Sequence, residues 1–437
     1  MDKRIKGFSK LTKAQKINWI THTHFNNPEN AESTLSCYWN TDSDLQKKHD
    51  EFIENTLTNF YMPLGVAPNF LINGKLYTIP IVIEETSVVA AASNAAKFWL
   101  NRGGFNAKVL DTLKVGQVHF LFHGDPKLIQ TFFEKNKTHL LKATKEFSKN
   151  MVRRGGGIQN IELIDKSELI PDYFQLHIQF KTADAMGANF INSCLESIAS
   201  KLEKLVQKDS EYLGGGEIEI IMSILSNYAP ECLVRAAVHC PVSDFIPEKG
   251  WAGNVFAKKI IQAIEIAKKE PYRAVTHNKG IMNGVDAVAL ATGNDFRAIE
   301  AGVHSYASKE GKYTSLSNAF IKDDIFHMEL LIPLALGTVG GLTRLHPMVK
   351  WNLELLGNPD AKTLMKIIAV AGLAQNFAAL RSLVTSGIQK GHMKMHLLNI
   401  LNQMGASKNQ KEAAIIHFKK NIVSVKAVGQ FLKKNSF

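Results

Sequence analysis

Cysteine is scarce: Cys37, Cys194, Cys232 and Cys240 are the four in 437 residues. None forms a CxxC pair or a zinc-ligand spacing, which excludes a disulfide framework or structural zinc site and predicts free, mostly buried thiols. Long apolar runs are missing too. No stretch of eighteen apolar residues occurs, and the opening MDKRIKGFSKLTKAQK lacks the apolar core of a secretory signal. A cytoplasmic chain with no membrane partner is therefore predicted. No GxGxxG stands between a strand and a helix, so a dinucleotide here is not held in the Rossmann manner. Nor is there a basic block. The formal net charge of +12 is spread along the chain among acids. With no RNP-like or zinc-finger motif beside it, that charge argues against a nucleic-acid partner and suits an anionic small molecule.

A chain of this length exceeds one small core, so two or three domains are expected. Residues 1–60 read as helical and polar, best over Lys13 to Thr21 and Gln46 to Tyr61. From Met62, PLGVAPNFLINGKLYTIPIVI reads as a β-hairpin turning at Asn73-Gly74, where positive φ is tolerated. Ser87 to Asn101 is Ala-rich and helical, stopped by Gly103-Gly104. From Ala107 to Met222 the order is strand (116–122), long helix (126–151), strands (158–164 and 173–180), helix (186–206) and strand (217–222). That is a ferredoxin-like βαββαβ unit inserted in a larger mixed α/β domain, an α+β architecture overall. Helices follow at Val255 to Glu270, Asn294 to Tyr306 and Ala361 to Leu383, with a strand at His327 to Ile332 and a Gly-rich turn at Gly337 to Thr343. The expected division is 1–106 with 223–376, then 107–222, and a small helical C-terminal element over 377–437. No internal repeat is present.

The densest chemistry lies in Thr276 to Asp295, THNKGIMNGVDAVALATGND. Its glycines and polar residues around a short apolar run predict a turn, a buried segment and a second turn. Lys279 would be aimed by Gly280, with Asp295 at the far end facing the same pocket. Each such group has an ordinary reading as well. Lys279 is a solvated loop lysine, Asp295 and Ser87 are helix N-caps, and Glu84-Glu85 complement a helix dipole. His392 and His396 share one helical face without a third metal ligand or the HExxH glutamate, so no metal site is expected. Asp184 to Asn189 opens a helix, either as a simple Asp cap or as a place where free N–H groups meet phosphate.

Taken together, Glu84-Glu85-Thr86-Ser87 before VVAAAS, Asp184-Ala-Met-Gly-Ala-Asn189, THNKGIMNG at 276–284, ATGND at 291–295 and Gly391-His392-Met393 resemble the hydroxymethylglutaryl-coenzyme A reductases of the soluble bacterial class II type. ENTL at 54–57 and GLAQN at 372–376 agree, and the likeness runs from about Lys10 to the tail. The resemblance implies reduction of HMG-CoA to mevalonate and coenzyme A with two nicotinamide cofactors. It implies a homodimer or higher oligomer with sites between subunits and a mobile C-terminal flap. It makes Lys279 the cation that stabilises oxyanion charge, Glu85 a buried acid of raised pKa, and Asp295 their hydrogen-bonded partner. It makes His392 the donor to the departing thiolate. Ser87, Arg273, Asn283 and Gln375 match substrate contacts. Asp184, Met186, Gly187 and Asn189 match the cofactor site, with Gly340-Gly341 near the nicotinamide and Leu342 larger than the family's usual residue. NAD-using relatives carry an acid where this chain has Ser148 or Lys149, followed by Arg153 and Arg154, which favours NADPH over NADH. Ser9 replaces a basic residue of some relatives, and Lys10 is the alternative there. Mevalonate oxidation with NAD, or a silent CoA- or nucleotide-binding relative, are the competing readings.

Overall fold

The protein is described here from a computed structural model, for residues 3–248, 250–385, 387, 397–418 and 421–435. The chain divides into two units, Met1–Pro63 and Leu64–Phe437. In the first, α1 (Lys13–His24) opens on a capping box between Thr12 and Gln15, α2 (Pro28–Ser36) on Asn27 and Pro28, and α3 (Ser43–Asp50) on Asp42. Lys13 Nζ donates to both carboxylate oxygens of Asp50, at 2.7 and 2.8 Å, tying the two outer helices. The helix expected over 46–61 ends at Asp50. Turns follow, with Asn55 at φ 58°, a left-handed conformation that stops a helix and that Asn tolerates.

The second unit starts with the hairpin of β1 (Leu64–Ile72) and β2 (Lys75–Val82), turning where Asn73 and Gly74 take φ 48° and 82°. After α4 (Val88–Leu100), β3 (Asn106–Val109) joins a four-stranded antiparallel sheet completed by three later strands. β4 (Lys114–His123), α5 (Pro126–Ala143), α6 (Lys145–Arg153), β5 (Gly157–Asp165), β6 (Tyr173–Lys181), α7 (Ala188–Lys208) and β7 (Glu217–Ser226) follow. Their strands stand in the order β5-β6-β4-β7, every neighbour antiparallel. The order β-α-β-β-α-β read from the sequence is thus present, with its own core of Phe120, Phe122, Phe132, Phe174, Phe180 and α7's apolar face. The single helix expected over 126–151 is two. Thr144 stands at φ −89°, ψ −1° and its hydroxyl bonds Leu141 O, diverting the chain.

The chain then returns through β8 (Leu233–Pro241), α8 (Gly253–Lys269), α9 (Pro271–Ala291), α10 (Phe296–Ala307), β9 (Ser317–Lys322), β10 (Ile325–Pro333), α11 (Leu342–Leu345), α12 (Pro347–Leu355) and α13 (Ala361–Val384). Sheet order β3-β8-β10-β9 places β8 and β10 centrally. On β8, Val234, Ala236, Val238 and Cys240 alternate inward. They meet α13, which is apolar and long enough to cross a membrane by length and composition but sits inside the main core. Helices at 397–403, Lys408–His417 and Val425–Lys434 share a separate cluster that includes Leu397, Leu401, Phe418 and Val428.

The structure corrects the reading of 276–295. Instead of turn, segment and turn, α9 runs unbroken for 21 residues from Pro271 to Ala291. Its glycines serve packing. A Cβ on Gly284 would lie 2.4 Å from Ala371 O of α13, and one on Gly372 would lie 2.9 Å from Val285 Cγ2 of α9. Each helix therefore presents a glycine to the other at their crossing, and Gly280 turns nothing. Replacing Gly284 by Val should cost about 1–3 kcal/mol of unfolding free energy, since neither backbone can yield. A lowered midpoint in urea titration followed by circular dichroism is the expected result.

Candidate active site

The roll of α9 is fixed by its buried side. Glu270 caps its first turn through the N–H groups of Tyr272 and Arg273, with Pro271 at N1. His277 and Asn278 point inward. His277 Nε2 meets Ser317 Oγ at 2.7 Å and Asn376 Nδ2 at 3.2 Å. Asn278 donates to Thr314 O at 2.9 Å and accepts from Leu316 N–H at 3.1 Å. The opposite side therefore faces out at Lys279, with Asn283 one turn on along the same stripe. Lys279 Nζ donates to Glu85 Oε2 at 2.7 Å, joining positions 194 residues apart.

Glu85 lies in the turn between β2 and α4. Ser87, in the N-cap position of α4, sits at φ 77° and its side chain makes no cap, which leaves the hydroxyl without a hydrogen-bond partner among the described residues. Such a left-handed non-glycine residue costs about 1–3 kcal/mol and is typical of working sites. Gln375 of α13 is buried and donates Nε2 to Val88 O at 2.6 Å, while its Cγ packs over Gly284. Gln375 thus positions this turn from behind. The burial expected for Glu85 is not provided by the described residues, since the Lys279 and Glu85 side chains are 59% and 39% exposed.

A cleft of about 410 Å³ lies at the start of α7. Met186, Gly187 and Asn189 line it on one side, Asp295, Gly340 and Leu342 on another. The two sides are laced together. Asp184 O accepts from Thr338 N–H at 2.8 Å across them, and within the second side Asn294 Oδ1 accepts from Gly337 N–H at 2.9 Å. A Cβ on Gly337 would stand 2.3 Å from Met186 N, so only glycine allows this approach. Asp184 does not cap α7. Its carboxylate accepts from Ala361 N–H at 2.9 Å, at the start of α13. Gly187 occupies the N-cap position of α7 with φ 95° and no side-chain cap, so the first N–H groups of α7 open at the cleft.

Several expected site residues stand elsewhere. Asp295 lines the cleft but is not bonded to Lys279 or Glu85. It caps α10 through Arg297 and Ala298 N–H and pairs with Arg297 Nε at 3.1 Å, the nearer cation. Burial raises its pKa, but hydrogen bonds from Arg297 and Ala298 outweigh that and hold it below the usual carboxylate range. Ser148 is buried, its hydroxyl on Thr144 Oγ1 at 3.3 Å and near Cys194 Sγ, so it does not reach the cleft. Lys149 is exposed on α6, two residues before Met151, which does line the cleft. Arg273 is half-buried a turn and a half before Lys279, about 120° around the helix from its stripe. Among the described residues neither its guanidinium nor the Asn283 amide has a hydrogen-bond partner. His392 and His396 lie outside the described residues.

The hydroxymethylglutaryl-coenzyme A reductase family profile matches residues 14–397. The chain belongs to the hydroxymethylglutaryl-coenzyme A reductase family. It is 36% identical over 415 residues to the 3-hydroxy-3-methylglutaryl-coenzyme A reductase of Archaeoglobus fulgidus, covering 95% of this chain and 90% of that one. It is 35% identical to a probable reductase of Borreliella burgdorferi, over 88% of each chain. Among solved structures, the class II reductase of Streptococcus pneumoniae bound to NADPH in open conformations matches at TM-score 0.71 and 39% identity. That match covers 87% of this chain and 99% of that one. A second structure of the Streptococcus pneumoniae reductase matches at TM-score 0.72 and 36% identity, over 98% of this chain and 99% of that one. The reading of an oxidoreductase of this family, with a mixed α/β fold, holds.

Within this reductase-family chain, sequence reasoning passed over two polar clusters. Asp286 is held above the usual carboxylate range by burial and then by its hydrogen bond with Glu300. Glu300 accepts from His304 Nε2 at 2.5 Å, and His304 Nδ1 meets Tyr313 OH at 2.8 Å. The i, i+4 spacing of Glu300 and His304 was the available signal. The other cluster surrounds His277, whose pKa burial and then the Arg273 charge hold down to about 3, against an ordinary 6.5. Below about 6.5 the unfolded chain takes up a proton that the folded one refuses. Stability from this group is full above that pH and falls as pH drops toward 3. Urea midpoints at about pH 7 and about pH 5 should therefore differ more in the native protein than in His277→Gln.

Proposed function

We propose that this chain catalyses the four-electron reduction of HMG-CoA to mevalonate and free coenzyme A in the mevalonate pathway of isoprenoid biosynthesis. The observation that carries the reading is the 2.7 Å contact between Lys279 Nζ and Glu85 Oε2, a cation and an acid set side by side on a framed turn. The nicotinamide cofactor, when bound, supplies the hydride. Lys279 stabilises the oxygen charge that develops as the thioester carbonyl is reduced. The hemithioacetal collapses to an aldehyde, and His392 protonates the leaving thiolate. Glu85 supplies the proton for the second reduction, to the alcohol. Ser87, Arg273 and Asn283 hold the hydroxymethylglutaryl group, and Arg273 is suited to a carboxylate.

The cleft at α7 takes the cofactor, with Met186 to Asn189 forming one wall and Asp184 anchoring the loop before it to Ala361. Its fit rests on uncapped N–H groups suited to phosphate and on Gly340 and Gly341, where nothing lies within 4 Å of a built Cβ. NADPH is favoured over NADH. Lys149, Arg153 and Arg154 are exposed near this wall and no acid replaces them, which suits a 2′-phosphate. In this division 107–222 holds the cofactor, 1–106 with 223–376 the substrate, and 377–437 closes as a flap.

Homodimerisation completes the site. The twelve helical steps from Lys279 to Ala291 rise about 18 Å along α9, so the pair and this chain's own cleft stand apart. A second copy would bring a cleft to the pair and cover Glu85. The enzyme acts in the cytoplasm. Lys279→Ala should lower kcat for HMG-CoA-dependent NADPH oxidation about 10²–10³-fold, as for loss of an oxyanion stabiliser. Turnover near that of the native enzyme would sink the assignment.

A further inference from the structure

We propose that Lys114 is a positioning residue for the cofactor cleft, its buried ammonium holding the 182–187 loop against the chain leaving β10. Lys114 is the first residue of β4 and only 6% exposed. Its Nζ donates to Thr182 Oγ1 at 2.7 Å, Met186 O at 2.8 Å, Ala185 O at 2.9 Å and Leu336 O at 3.3 Å. Thr182 in turn donates its hydroxyl to Ala185 O at 2.7 Å. Three carbonyls from two separate segments thus converge on one amine. An ammonium has three donors, so every one is engaged and none is spare.

The choice of residue is informative. An apolar side chain is the usual occupant of a strand start in a core, and a buried charge is costly without compensation. No carboxylate pairs with Lys114 among the described residues. Its compensation comes from the Thr182 hydroxyl and from three carbonyl dipoles. The titratable group facing it is the Cys232 thiol. Burial pushes that thiol up to about 11 and it donates to Leu334 O, so it stays neutral. Asp184 is turned to Ala361 N–H, and Asp111 is paired with Lys181 at 3.2 Å. Burial brings the Lys114 pKa down to about 8, with Cys232 opposing.

Lys114 does not line the cleft, whereas Ala185, Met186, Gly187, Gly337 and Val339 do. It stands behind both walls and sets their separation. Loss of its proton removes one donor from three carbonyls, so the loop is held less firmly above about pH 8. This inference rests on the reading that the cleft takes the nicotinamide cofactor.

The test uses the full-length enzyme and the variants Lys114→Met and Asn189→Ala, with NADPH as probe. In Lys114→Met the NADPH Kd and KM should rise about 10-fold, while the KM for HMG-CoA stays within about twofold. A merely structural loss would move both substrates together. Asn189→Ala tests the cleft itself. If it weakens NADPH binding and Lys114→Met does not, the role of Lys114 is overturned. If Asn189→Ala leaves NADPH binding unchanged, the cleft reading falls instead. Should Lys114→Met not fold, the native enzyme decides the matter. Its NADPH Kd should rise from about pH 7 to about pH 9 with HMG-CoA binding flat, and a flat NADPH Kd overturns the proposal.

Discussion

The close crossing of α9 and α13 is the constraint from which the rest of the main unit takes its geometry. Two glycines, Gly284 and Gly372, let the helices meet backbone to side chain with no room for a methyl group. Interiors packed at this density transmit position faithfully. Gln375 sits in that contact and reaches on to Val88 O, so α4 and the turn before it are placed by the same crossing. His277 and Asn278 then fix the rotation of α9 against β9 and its preceding loop. The Lys279–Glu85 pair is the outward expression of this inner frame.

Much of this was legible in the sequence, for reasons that differ by residue. Asn73-Gly74 announced its hairpin because the conformation is local and few residues adopt it. Lys279, Glu85 and the 184–189 loop were legible because chemistry restricts residue type at spaced positions. The continuity of α9 was not. Glycine means either a turn or a close approach, and the partner that decides, Ala371, is 87 residues downstream of Gly284. The inward alternation of β8 was present in its residues and passed unread.

Polar residues were harder still. Asp295 reads the same whether it pairs with Lys279 or with Arg297, and in the structure its carboxylate bonds Arg297 in the first turn of α10. Ser148 was placed by alignment with an acid of relatives, but the break at Thr144 turns its hydroxyl to the interior. Lys114 at the head of a strand gives no signal by itself. Its role follows from three carbonyls that lie 71, 72 and 222 residues away.

The two lysines, Lys114 and Lys279, show how little the identity of a side chain says about its behaviour. One ammonium is open to water and shares its charge with a carboxylate. The other is enclosed, held by peptide carbonyls and a threonine hydroxyl with no carboxylate among the described residues, and gives up its proton more readily than a free amine would. Reactivity toward acylating reagents needs both a neutral amine and a path to it. The buried lysine sheds its proton more readily but offers the reagent no path, so a labelling experiment that counts reactive amines would pass over Lys114.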